Sequence, residues 1–94
     1  MQIQQRPEFA KWLTSLSDRR ARAKIAARVD RLAMGNPGDV AAVGGGISEL
    51  RVDYGPGYRI YYVRRGSSFV LLCGGDKATQ SRDIRTAKRL AGEL

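Results

Sequence analysis

The spacing of apolar residues changes period once along the chain, near Ile47, and that change constrains the fold class more than any other feature. Before it, Phe9, Trp12, Leu13 and Leu16 recur at i, i+3, i+4 and i+7, the signature of one buried helix face. Ala21, Ile25, Val29 and Leu32 form a second apolar stripe, with Arg20, Lys24, Arg28 and Arg31 as a basic stripe beside it. Pro7 suits the first turn of a helix, where its missing N–H costs nothing. Ser17 or Asp18 can cap the second helix. Gly35-Asn36-Pro37-Gly38 ends it.

From Ile47 the period is two. Leu50, Val52 and Tyr54 share one parity, and Glu49, Arg51 and Asp53 share the other. After the turn Gly55-Pro56-Gly57, residues Tyr58, Ile60 and Tyr62 alternate with Arg59, Tyr61 and Val63. Phe69 to Cys73 is apolar on both parities, as befits a central strand covered on both sides. A last helix carries Ile84, Ala87, Leu90, Ala91 and Leu94 inward and Arg82, Arg85 and Arg89 outward. With a short edge strand at Met1–Gln5 and a glycine-rich connection over 36–46, the order is β-α-α-β-β-β-α. This predicts one α+β domain over residues 1–94, with the helical hairpin packed on one face of an antiparallel meander.

Charge narrows the function classes. Seventeen Lys and Arg against nine Asp and Glu give +8, and a folded basic domain favours an anionic partner such as nucleic acid or an acidic protein segment. There is no histidine and a single cysteine, Cys73. A zinc site and an internal disulfide are therefore excluded, and Cys73 reads as a buried structural thiol. Any proton transfer must use Asp, Glu, Lys, Arg or Tyr. No long apolar stretch suggests a membrane span, so a cytoplasmic protein without metal or small-molecule cofactor is expected.

On the polar parity of the sheet, Arg51 and Arg59 sit on adjacent strands, and Lys77 leaves the third strand of the meander. These three can converge on a phosphate, which arginine grips through its bidentate fork. Lysine among other cations gives up a proton more readily. Tyr61 shares the parity of Arg59 and can stack on a base. Asp83 is either a carboxylate base or a helix-surface partner for Arg82. Equally, Arg51 can be neutralised by Glu49 or Asp53, leaving Arg59 to cap the sheet rim. Gly74-Gly75 lacks the spacing of a nucleotide P-loop and reads instead as the point where the chain turns out of a central strand.

Two motifs carry a family resemblance: Gly55-Pro56-Gly57-Tyr58-Arg59-Ile60-Tyr61-Tyr62 and Gly74-Gly75-Asp76-Lys77-Ala78-Thr79-Gln80. In this order and spacing, after a helical hairpin, they resemble the RelE/ParE toxin superfamily, in particular its HigB-like branch. The resemblance covers nearly the whole chain. It implies the toxin of a type II toxin–antitoxin module that cleaves mRNA on the ribosome and is neutralised by a cognate antitoxin. Arg59 then contacts the scissile phosphate, Lys77 is an acid or phosphate clamp, and Arg51 and Asp83 complete the catalytic set. Arg20, Lys24, Arg28 and Arg31 on one helix, Arg82, Arg85 and Arg89 on another, and Tyr61 on the sheet would bind RNA or the ribosome. The superfamily also implies two alternatives: a ParE-like poison of DNA gyrase, or an inactive member serving in a repressor complex.

Overall fold

The computed structural model describes residues 1–94. Strand β1 (Gln2–Gln5) leads into helices α1 (Pro7–Ser15) and α2 (Arg19–Ala33). Strands β2 (Val40–Gly44), β3 (Ile47–Val52), β4 (Tyr58–Arg65) and β5 (Ser68–Asp76) follow, then a 3-10 turn, Lys77–Thr79, and helix α3 (Gln80–Ala91). The α+β class is as the periodicities require. Pro7 opens α1, and Asp18 caps α2 by accepting from the backbone N–H groups of Arg20 and Ala21.

One strand exceeds the expected order. Val40–Gly44 lies inside the stretch expected to be a connection, yet it pairs antiparallel with β3. Val-Ala-Ala-Val-Gly does not alternate, so no period marks it as a strand. The hydrogen bonds of its neighbour β3 organise it. The β2–β3 turn runs through Gly44, Gly45 and Gly46, all at positive φ, which explains the glycine run better than looseness does.

The sheet order is β1-β5-β4-β3-β2, with β1 parallel to β5 and every other pair antiparallel. On one face, Phe9, Ile25 and Leu32 from the hairpin pack on Leu50, Val52, Ile60, Tyr62 and Leu71. On the other, Ala87, Leu90 and Ala91 of α3 pack on Ile47, Tyr61, Val63, Val70, Leu72 and Cys73. The sheet is thus covered from both sides, as the two-parity apolar run of β5 demands. A bulge sharpens this arrangement. Tyr61 pairs with Cys73 and Tyr62 with Leu71, so Leu72 has no partner of its own, and Leu72 and Cys73 both face α3. Leu94, expected on the inner side of α3, lies past the helix end and is exposed.

Gly74 and Gly75 do not turn the chain out of the sheet. Both remain inside β5, and neither has positive φ. Their role is close approach. A Cβ on Gly74 would overlap the Trp12 indole on the α1 side. One on Gly75 would overlap the Asp83 carboxylate and the Thr79 hydroxyl on the α3 side. The two absent side chains let one helix layer settle on each face of the strand.

Overpacking of this kind costs about 1–3 kcal/mol, and Gly75→Ala should lower stability in denaturant by that order. Removing the obstructing carboxylate in the double variant Gly75→Ala/Asp83→Ala should recover part of the loss. Strict additivity of the two substitutions would show that Asp83 is not what the glycine accommodates.

Candidate functional site

The β3–β4 register places Arg51 directly opposite Arg59. Like charges across a strand pair repel, so this pairing needs a compensating anion. Glu49, two residues before Arg51 on the same face, supplies it. Its side chain is fully buried. Oε1 accepts from Arg51 Nε at 2.9 Å, and Oε2 accepts from Tyr61 Oη at 3.0 Å and from Gln80 Nε2 at 2.8 Å. Arg59 Nε lies 3.9 Å from Oε2, and Arg59 Nη1 donates to the Gly57 carbonyl at 2.8 Å. Burial alone would raise the Glu49 pKa. The donations from Gln80, Arg51 and Tyr61 outweigh it, so the carboxyl stays below its ordinary range. Desolvation and the bond to Glu49 push the Tyr61 phenol far up.

Above this buried carboxylate lies an open cleft of about 250 Å³, lined by Asp39, Arg51, Val52, Asp53, Gly57, Arg59 and Lys77. The positive φ of Gly57 bends the β3–β4 turn over it. Arg59 Nη1 and Lys77 Cβ both lie close to the point where a Gly57 side chain would begin. Lys77 is exposed, at the start of the 3-10 turn that Asp76 caps through the N–H groups of Ala78 and Thr79. Arg51, Arg59 and Lys77 therefore meet at one cleft, from three separate elements. Asp39 Oδ1 lies 3.9 Å from Arg51 Nη1. Glu49 neutralises Arg51, as one of the two sequence readings allows, and the open end of Arg51 still faces the cleft.

Several expected residues stand elsewhere. Tyr61 is fully buried under α3 and cannot stack on a base. It has the expected parity, but α3 covers that part of the face. Asp83 is buried outside the cleft, over Gly75, accepting from Thr79 Oγ1 at 2.5 Å and lying 3.5 Å from Arg82 Nε. It serves the α3–β5 packing. Arg28 leaves the basic stripe to donate to the carbonyls of Arg51 at 2.6 Å and Pro37 at 2.9 Å. Arg20, Lys24 and Arg31 remain exposed on α2, and Arg82, Arg85 and Arg89 on α3. Arg89 pairs with Glu93 at 3.1 Å. Cys73 is buried, its thiol pushed up to about 12 by desolvation, so it is a packing residue. No group of three His, Cys, Asp or Glu side chains converges on one point. No helix is long and apolar enough to cross a membrane.

Sequence reasoning does not assign Asp39 to the cleft or make Glu49 its floor. Asp39 falls in the glycine-rich segment, where no period applies. Glu49 does carry a signal: an acid on the same parity as two arginines on paired strands.

Two measurements test this geometry. A carboxyl whose pKa is lowered by folding stabilises above its unfolded value, near 4.3, and that stabilisation fades as pH falls through the lower folded value. The stability difference between the native chain and Glu49→Gln should thus be largest above about pH 5 and shrink on acidification. A difference independent of pH would show that the carboxylate charge is not what matters. Arg28→Ala removes two partly buried hydrogen bonds to backbone carbonyls and should cost about 1–3 kcal/mol, whereas Arg20→Ala should stay within about 0.5 kcal/mol. Equal losses would show that Arg28 holds nothing.

Comparison with known proteins agrees with this architecture. An uncharacterized protein of Haemophilus influenzae is 52% identical over 95 residues, covering 100% of this chain and 96% of its own length. The solution structure of the conserved hypothetical protein HP0894 from Helicobacter pylori superposes with a TM-score of 0.54 at 17% identity, covering 83% of this chain and 96% of that one. At that identity the likeness establishes a shared fold. The profile of the family described as "Phage derived protein Gp49-like (DUF891)" matches residues 11–91, from the middle of α1 to the end of α3, and the chain belongs to that family.

Proposed function

We propose that this protein is the toxin of a type II toxin–antitoxin module and acts as a metal-independent endoribonuclease on mRNA at the ribosome. The Gp49-like family is toxin–antitoxin related, and an acidic antitoxin segment is a natural partner for a chain of net charge +8. The observation that carries the nuclease reading is the meeting of Arg51, Arg59 and Lys77 around one open cleft whose lining also includes Asp39 and Asp53.

RNA supplies its own nucleophile. A carboxylate in the cleft takes the proton from a 2′-hydroxyl. The 2′-oxygen forms a bond to the adjacent phosphorus, and the bond from phosphorus to the 5′-oxygen breaks. Lys77 gives its proton to that leaving oxygen, and the products are a 2′,3′-cyclic phosphate and a 5′-hydroxyl. Arg59 and Arg51 carry the charge that builds on the phosphorane oxygens, where preorganised cations contribute most. With Asp83 outside the cleft, Asp39 and Asp53 take over as candidate bases. Glu49 is held ionised and fully bonded beneath the arginines, which suits it to orient them.

The gyrase-poison reading has one observation in its favour. Helix α3 covers much of the same sheet face and leaves only its Arg51–Arg59 end open.

Brief expression followed by mapping of new 5′ ends separates the two readings. Codon-phased cuts are expected in translated mRNA, reduced by about 10²–10³ in Arg59→Ala and substantially in Lys77→Ala. Intact mRNA with accumulating gyrase-linked DNA breaks would sink the nuclease.

A further inference from the structure

The cleft at Arg51, Arg59 and Lys77 does not end at the sheet. Val52 and Asp53 also line a second hollow of about 340 Å³, whose other walls are Lys24, Ala27, Arg28 and Arg31 of α2. Lys24 and Ala27 in turn belong to a third, more open hollow with Arg20, Ala23 and Tyr54. Neighbouring hollows share two lining residues at each junction, so the three lie side by side as a row of depressions, here called the trough. It leaves the rim of the sheet, crosses the end of β3 and runs along α2.

The lining of this trough is uneven in a telling way. Arg20, Lys24 and Arg31 form no ion pair within 4.0 Å, although Asp18 lies near enough to Arg20 to feel its charge and Asp53 shares a hollow with Lys24 and Arg31. On α3, Arg82 and Arg89 lie against Asp83 and Glu93, while Arg85 and Lys88 form no ion pair but line none of the three hollows. The apolar part of the trough's α2 wall consists of alanines. These offer no deep pocket for the large side chains that anchor a protein partner. The far end holds Tyr54, half-buried, with Lys24 Nζ 5.3 Å from its ring centroid and its hydroxyl held by Asp18 at 2.8 Å. A fixed aromatic ring beside cations spaced along a groove is the arrangement that takes a single strand: phosphates meet the cations and a base meets the ring.

We infer that single-stranded RNA runs from the Arg51–Arg59–Lys77 cleft across Val52 and Asp53 onto α2, where Arg31, Lys24 and Arg20 hold its phosphates and Tyr54 takes a base. This rests on the endoribonuclease reading for what happens in the cleft, and adds to it the path of the strand. Of the two basic helices, it selects α2 over α3.

Binding of non-cleavable 2′-O-methyl RNA, followed by fluorescence anisotropy with the full chain, tests the path without requiring catalysis. Oligomers of about 3 and about 12 nucleotides bracket the reach of a short single-strand groove. Lys24→Glu/Arg31→Glu should weaken the longer oligomer about tenfold or more. It should also lower the salt slope by about 0.7 for each phosphate left without its cation. The shorter oligomer, confined to the cleft, should bind with little change. Lys24→Gln/Arg31→Gln should show a smaller effect in the same direction. Arg64→Glu/Arg65→Glu, an equal charge change at the opposite end of β4, should leave the length dependence intact.

Three results overturn the path: equal losses for both pairs of charge reversals, a larger loss from Arg82→Glu/Arg89→Glu, or no gain in affinity with length. A poly-glutamate peptide that binds as tightly as the longer RNA, and is weakened equally by Lys24→Glu/Arg31→Glu, would also overturn it and give this face to an acidic protein. The two readings fail separately. RNA held along α2 with cellular mRNA intact removes the nuclease and keeps the path. Arg59-dependent cleavage with an indifferent α2 removes the path and keeps the nuclease.

Discussion

The structure turns on one buried carboxylate. Register forces Arg51 and Arg59 to face each other on paired strands, an arrangement that repels unless an anion lies between them and the core. Glu49 is that anion. It lies in the sheet interior with both oxygens occupied, and its donors come from β3, β4 and the first residue of α3. A buried ion without such partners would be strongly unfavourable, and a partly satisfied one little better. Fully satisfied, it fixes Arg51 at the sheet rim, places its charge 3.9 Å from Arg59 Nε, and ties α3 to the strands beside them. The placing of Arg51 at the cleft and the seating of the C-terminal helix are thus two results of the same set of bonds.

Much of this architecture is legible in the sequence, because periodicity reports directly on which side of an element is buried. The stripes of α1 and α2, the alternation of β3 and β4, and the two-sided apolar character of β5 all reappear in the packing. What periodicity does not report is whether a face is covered, and by what. Tyr61 has the parity of Arg59, but one pleat further along the strand a helix lies over the sheet while the rim remains open. The same gap explains Asp83. Its helical position is plain in the sequence, but its neighbour, a glycine one layer below, belongs to another element. Strand β2 is hidden for a different reason. An edge strand of small residues is defined by the partner it pairs with, and its own pattern is silent.

The candidate site divides along the same line. Arg51, Arg59 and Lys77 are separated in sequence but joined by two strand pairings that the turn signals make foreseeable. The acids of the cleft are less so. Asp39 reaches the site because Arg51 N–H bonds to its carbonyl, outside the regular ladder. The paired glycines of β5 look locally like an exit from the strand. Their meaning lies in the two helices above and below, information that no local turn rule contains.

The Arg28 side chain has a mechanical consequence. It leaves α2 to grip the backbone carbonyl of Arg51 and that of Pro37, bracing the helical hairpin against both the cleft strand and the segment leading into β2. Hairpin and cleft are therefore linked by a strut, not only by a greasy contact. Any force that tilts α2 is delivered to the peptide carrying Arg51. The position of the Arg51 backbone is thereby tied to the seating of the second helix as well as to its own strand pairing.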